Sequence, residues 1–407
     1  MQNRDQVLAA LVIGLLVGGV ATYALAGASL SRTTTTSIST LVSASTVTSL
    51  QTVTSSTTVE KTVTSVLTST VLGRQPINTT DVVIANTTAV GGIAIAVNAE
   101  AGAVYVLGTS SLTVVNASSH SVIANVPLLG NNTGGVVHAG LAVDIGTGTV
   151  YASVQGEVVE VNGSTNTVVG EIPLNLGALA FDYATDVLWG TVPSGNPNPS
   201  PSQTQTGRLV GVDVLTGSIV ANVSLGFSPD DITVDHWTNM VYADGCAGSF
   251  VCGSEVAIVN GTTGTLVTTV DMRSAYFPAM TMNLSTDVLY VTGMAQLAAL
   301  NGTDGQVIFS SNPQTCGPFL AMAVIPASNE VLMVPQNYDF LLVYNGTSGA
   351  LVNMYSLAGP ANGVAYNPDT DQLYLAANGD LLALHDVRAT GNVNATLIGA
   401  GQACGLP

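Results

Sequence analysis

One short phrase recurs along this chain: GAVYVLG from residue 102, GTVYASV from 148, DVLWGTV from 186, TNMVYA from 238, TDVLYVTG from 286, EVLMVP from 330 and DQLYLAA from 371. Superposing the copies puts Tyr105, Tyr151, Trp189, Tyr242, Tyr290, Leu332 and Tyr374 in one column. A second column, seven residues earlier in every copy, holds Asn98, Asp144, Asp182, Asp235, Asn283, Ile325 and Asn367. An offset kept through seven copies predicts seven versions of one local structure. The anchors are spaced 46, 38, 53, 48, 42 and 42 residues apart.

Between the anchors, short runs of alternating apolar residues are broken by Gly, Asn and Asp, and no amphipathic helix is visible. A period of about 40 to 50 residues in an all-β sequence predicts a seven-bladed β-propeller of four-stranded antiparallel blades. ANGVAYNP (361–368) reads as an inner strand, DQLYLAA as a second and DLLALHDV as a third. VIANVPL (122–128), TVVGEIPL and SIVANVSL read as outer strands. Asn or Asp closing the inner strand suits a tight turn, and the aromatic column reads as packing between blades. DVVIANTTAV (81–90) is expected to supply the outer strand of the last blade and close the ring, with NATLIGA (394–400) as the rival for that slot.

NLSTDVLYVTG, NPDTDQLYLAA and STNTVVGEIPL resemble the YVTN repeats of archaeal and bacterial cell-surface propellers over roughly residues 81–400. Leu332 and the irregular repeat lengths depart from that pattern. The resemblance implies the propeller fold and a surface-layer or cell-surface setting. Its fold neighbours include lactonases, which makes an extracellular metal-dependent hydrolase the alternative function.

The chain divides into three regions. Residues 1–26 contain an uncharged apolar run, VLAALVIGLLVGGVATYALAGA, long enough to span a bilayer. A membrane anchor is expected, with a signal peptide cleaved after Ala24-Leu25-Ala26 as the alternative. Residues 27–76 are rich in Ser and Thr and predict a stalk without a core of its own. Residues 77–407 are the propeller. The expected location is therefore the cell surface, or outside the cell if the signal is cleaved. Lys61 is the only lysine, and seven Lys and Arg against a net charge of −18 exclude nucleic acid as a partner. A chain with 8% charged residues also suits harsh or acidic surroundings.

Cys246 and Cys252 flank the loop CAGSFVC and are expected to form a disulfide in an oxidising compartment; Cys316 and Cys404 are a second candidate pair. Sequons occur at Asn78, Asn86, Asn116, Asn131, Asn162, Asn222, Asn260, Asn283, Asn301, Asn345 and Asn394. Four of them read Asn-Gly-Ser/Thr, at Asn162, Asn260, Asn301 and Asn345, between a third and an outer strand. Asn-Gly is also a hairpin pair. That explains the Asn-Gly but not the Ser or Thr that follows, so glycosylation is expected at all eleven sites.

In a propeller, strand 1–2 and 3–4 turns share one face, while strand 2–3 loops and blade connections share the other. Most sequons fall on the turn face. The long segments 194–207 and 245–253 decorate the opposite one, which is expected to meet cell-envelope proteins or copies of this chain. His138, Asp230, Asp231 and Asn362 are the polar residues expected at the channel mouth, where Gly177, Pro278 and Leu320 stand in other blades. They are candidate binding residues, set against the favoured reading that they are exposed polar loop ends. No catalytic residue, metal or cofactor is assigned. The expected role is structural, adhesive or protein-binding, with the hydrolase and a ligand-capturing subunit as alternatives.

Overall fold

The computed structural model describes residues 75–76, 94–128, 140–154, 156–193, 206–247, 253–275, 279–293, 296–311, 319–357, 359–377 and 380–385. Seven antiparallel sheets follow one another along the chain, each in the spatial order of its sequence. Their inner strands are Ala94–Asn98, Leu141–Asp144, Leu179–Asp182, Ser228–Asp235, Met280–Asn283, Phe319–Ile325 and Ala361–Asn367. Successive inner strands touch, and that of blade 7 touches that of blade 1, so the ring is closed.

The second and third strands are buried along nearly their whole length, as in Ala103–Leu107 and Glu330–Pro335, because each sheet is covered on both faces by its neighbours. The apolar clusters are accordingly seams between blades. Tyr105, Leu107 and Leu112 pack with Val150, Val159 and Val161, and Val104, Val106 and Val115 pack with Tyr374, Leu381 and Ala383. Every residue of the anchor column is buried, Leu332 included.

The Asn/Asp column builds the turns. Oδ1 of Asp144, Asp182, Asp235, Asn283 and Asn367 accepts the N–H two residues on, and that of Asn98 accepts from Ala101. Four residues after each member of the column the chain turns left-handed, at Gly102, Gly148, Asp186, Asn239, Asp287, Asn329 and Asp371, with φ between 52° and 73°. Glycine, Asn and Asp are the residues that adopt this conformation at low cost.

The same turn recurs after the third strand. Oδ1 of Asn116, Asn162, Asp213, Asn260, Asn301 and Asn345 accepts nearby backbone N–H groups. The left-handed residue is again the fourth, from His120 to Gly349. The two turns of a blade interlock, since the N–H after the third strand bonds the left-handed carbonyl of the first turn. Gly163 donates to Gly148, Gly302 to Asp287 and Gly346 to Asn329.

This corrects the hairpin reading of the Asn-Gly pairs, because the glycine after Asn is not the left-handed residue. A Cβ on Gly163 would lie 2.4 Å from the Tyr105 hydroxyl, and one on Gly346 would lie 2.4 Å from that of Tyr290. At Gly163, Gly302 and Gly346 the missing Cβ leaves room for the anchor tyrosine of the preceding blade, whereas Ala117 takes the same place in blade 1 beside Tyr374. Tyr242 donates to the Gly302 carbonyl at 2.9 Å, Tyr290 to that of Gly346 at 3.0 Å, and Tyr374 to that of Ala117 at 3.1 Å.

Each outer strand of blades 1–6 carries a β-bulge at one place, at Ile123, Val169, Val220, Val267, Ile308 and Val352. A bulge there spoils the free edge for edge-to-edge pairing. Blade 6 departs from four strands. Gln75–Pro76 pairs parallel to its outer strand, with Gln75 opposite Tyr355. The chain at Gln75 therefore runs in the sense of an outer strand, from the turn face toward the opposite one. Both segments proposed for the last slot of blade 7 lie outside the described residues, as do the apolar run and the Ser/Thr region up to residue 73. Among the described residues no helix is long and apolar enough to cross a membrane.

Candidate functional site

Of the four residues expected at the channel mouth, His138 lies outside the described residues. Asp230 and Asn362 take equivalent places, each being the extra residue of a bulge at the start of its inner strand, as is Leu320 in blade 6. Bulges of this kind re-aim a side chain. Asn362 is exposed and Asp230 is half-buried. They belong to blades 7 and 4, three blades apart, and Asp231 is the only one of the expected set that shares a blade with Asp230. Asp231 Oδ2 accepts the N–H of Met280 at 3.2 Å, tying blade 4 to the inner strand of blade 5.

Blade 4 adds a residue that sequence reasoning missed. Asp244 pairs with Asp231 across the first two strands, at the end of the sheet that carries the bulge. It is fully buried, and neither carboxylate oxygen has a hydrogen-bond partner of good geometry. Burial pushes its carboxyl well above the usual carboxylate range. Asp231 and Asp230 push it further, and the backbone N–H groups of Asp231 and of Asp244 itself offset only part of this.

The equivalent position, two residues after the anchor, shows what Asp244 replaces. It is Ser153, Thr191 and Thr292 in blades 2, 3 and 5, and Leu107, Val334 and Ala376 in blades 1, 6 and 7. Ser153 donates to the Leu176 carbonyl. Thr191 accepts the N–H of Ala178 at 2.9 Å, and Thr292 bonds both the N–H and the carbonyl of Ala279. In those blades a hydroxyl clasps backbone at the start of an inner strand. In blade 4 an acid without such a bond stands in the slot. The signal was present in the sequence as the one charged residue of that column.

Among the described residues, no three His, Cys, Asp or Glu side chains converge closely enough to hold a metal ion. What Asp230, Asp231 and Asp244 form is a carboxylate cluster in which burial and the two neighbouring carboxylates favour the neutral form of the innermost member.

A second titratable group sits on the turn face. His236 Nε2 bonds the Tyr183 hydroxyl across blades 3 and 4, and the His236 ring also lies 4.9 Å from that of Trp237, which is 76% exposed. Burial lowers the His236 pKa, against the opposing pull of Asp235 and Asp182, and burial with those same aspartates raises Tyr183 to about 12. Both are neutral at pH 7, and the pair works as a clasp.

Of the sequon residues, Asn78, Asn86, Asn131 and Asn394 lie outside the described residues, as do Cys252, Cys316 and Cys404; Cys246 stands on the second strand of blade 4. Asn283, unlike the other described sequon residues, is fully buried, and its Nδ2 donates to Asn329 at 2.8 Å. The reason given for the sequon hydroxyls also changes. Thr262, Thr303 and Thr347 bond the left-handed residues Asn239, Asp287 and Asn329, which gives those three threonines an architectural role.

The fold and its turns define an all-β, seven-bladed propeller. No protein-family model matches the chain, and no curated protein matches it. Among solved structures, Kuenenia stuttgartiensis hydrazine synthase superposes with a TM-score of 0.63 over 74% of this chain and 97% of its own, at 12% identity. In all, 1621 solved chains match, and a framework shared so widely specifies blades rather than chemistry.

Proposed function

We propose that this chain is an exported, membrane-anchored propeller of the cell envelope, with a structural, adhesive or protein-binding role carried by the face opposite its turns. The observation that carries this reading is the contrast between the two faces. Every strand 1–2 turn has the same length and the same left-handed fourth residue. The strand 2–3 connections vary from two residues, at 155–156, to the long segment 193–207. A rigid ring with one invariant face and one elaborated face is suited to presenting loops to a partner. The apolar run, the Ser/Thr region and the likeness to YVTN surface propellers supply the setting.

Cross-linking mass spectrometry on intact cells tests it. Links from 193–207 to copies of this chain or to abundant envelope proteins are the expected result. Links confined to cytoplasmic proteins would overturn it.

Asp244 favours a second reading, a small-molecule site at the channel mouth of the kind a lactone hydrolase uses. It predicts turnover of a lactone, or stoichiometric metal binding, that is lost in Asp244→Asn. Neither activity in the intact protein would dispose of it.

A further inference from the structure

The outer strands of blades 1–5 share a feature that the fold itself does not require. Each starts with two adjacent exposed aliphatic residues: Val122 and Ile123, Val168 and Val169, Ile219 and Val220, Leu266 and Val267, Val307 and Ile308. Their exposures run from 42% to 59%, and together they form an apolar belt around the rim. The first residue of each pair lies six positions after the turn residue that ends the third strand, and that residue is Asn116, Asn162, Asp213, Asn260 or Asn301.

The turn needs only an Oδ1 acceptor. Asp213 serves in blade 3 with the same bonds to the following N–H groups, and three of the strand 1–2 turns use Asp. Yet the other five described third-strand turns, that of blade 6 included, use Asn, and every one of those Asn is followed two residues later by Ser or Thr. Among the three Asn of the strand 1–2 turns, only Asn283 begins a sequon, and it is buried. Turn chemistry explains Asn or Asp equally and does not explain this division.

The hydroxyl contacts do not explain it either. Thr262, Thr303 and Thr347 have partners, but Ser118 and Ser164 face turns whose left-handed residue is Gly102 or Gly148, which has no side chain to bond. Blade 3 is decisive. Its turn carries Asp213, which cannot take a glycan, and it alone among the described outer strands carries a sequon, at Asn222. Asn222 is exposed and lies two residues after Val220, on the same side of the strand.

We infer that blades 1–6 each carry one N-linked glycan, on Asn116, Asn162, Asn222, Asn260, Asn301 and Asn345, and that in blades 1–5 the glycan lies over the exposed aliphatic pair of its outer strand. The turn uses Oδ1 and leaves Nδ2, the atom a glycan takes, unused. A bond forms from Nδ2 to C1 of the sugar as the bond from C1 to a phosphate-linked lipid donor breaks. The lipid phosphate leaves with the electron pair, and Nδ2 gives up one proton to the transferase's base. The apolar C–H face of a sugar then covers the valine or isoleucine below. In blade 6, Leu351 is already buried, and the glycan on Asn345 has no exposed pair to cover.

The inference rests on the chain being exported. The test is glycopeptide mass spectrometry of the full chain, purified from the cells that encode it, with the cell fraction recorded. Occupancy at the six sites and none at Asn283 is expected. An unmodified chain at the cell surface would overturn the inference and leave export standing; an unmodified chain in the cytoplasm would overturn both. Occupied Asn283, or empty Asn222, would also sink it.

The covering is read separately, by the fluorescence of an apolar-surface dye. Full deglycosylation should raise it, and Asn222→Gln should give on the order of one fifth of that rise, since five of the six glycans cover an exposed pair and separated sites add. Adding Ile219→Thr and Val220→Thr should cancel the Asn222→Gln increment. No rise on deglycosylation would show that the sugars stand away from the belt.

Discussion

The hydroxyl of Tyr374 donates a hydrogen bond to the carbonyl of Ala117 at 3.1 Å, joining positions 257 apart in sequence. Tyr374 is the anchor of blade 7 and Ala117 opens the third turn of blade 1, so this contact repeats, across the junction of the ring, the one that links Tyr242 to Gly302 and Tyr290 to Gly346.

Tyr374→Phe should therefore loosen the junction more than the rest of the ring. The lost hydroxyl, shared between the Ala117 carbonyl and Gln372 Oε1 at 2.7 Å, costs about 1–2 kcal/mol. Thermal unfolding should shift down by a few degrees at most. Hydrogen exchange should quicken first in blades 1 and 7; equal acceleration in blade 4 would contradict the assignment.

Gly346→Ala should destabilise by about 1–3 kcal/mol, because the new methyl meets the Tyr290 hydroxyl and both the backbone carbonyl and Oδ1 of Asn329. Tyr290→Phe removes the first of these obstacles. The double variant should lose less than the sum of the singles, and strict additivity in denaturant titrations would show that the two residues do not meet.

Asp186 is exposed and left-handed, which isolates the backbone from packing. Asp186→Val should cost about 1–2 kcal/mol, whereas Asp186→Gly should be nearly neutral. Equal melting temperatures for the two variants would refute the turn geometry.

Asp244, Glu160 and Glu255 should favour the folded state in acid, with His236, whose pKa burial lowers, opposing them below its ordinary value. Burial raises Asp244, Glu160 and Glu255, with Asp231 and Asp230 adding to the first and Asp271 to the last. A group whose folded pKa is raised costs nothing below its unfolded value. Above that value the folded state holds a proton that the unfolded state has released, so stability falls as pH rises toward the folded pKa. Asp244→Asn should flatten this slope and stabilise by about 1–3 kcal/mol at pH 7. A pH 4 to pH 7 slope of the melting temperature that is the same in Asp244→Asn as in the parent would overturn the reading.

Much of the architecture was legible in the residues. Two columns seven apart located the inner and second strands of all seven blades, because the turn chemistry of Asn and Asp and the packing of a large side chain are both local demands that each blade must meet. The outer strands read from VIANVPL, TVVGEIPL and SIVANVSL fell where expected. The candidate site was only half legible. Asp230 and Asn362 prove to be the extra residues of equivalent bulges, which no local pattern announced, and Asp244 looked like one more strand residue until its burial was seen.

The sequence by itself determined the number of blades, their strands and their turns, since those follow from short-range periodicity and from which residues tolerate a left-handed backbone. Only the tertiary structure decided why glycine follows Asn, which sequon is buried, and what Asp244 faces. Each of these depends on a neighbouring blade or strand, and contacts made across the ring leave no period in the chain that encodes them.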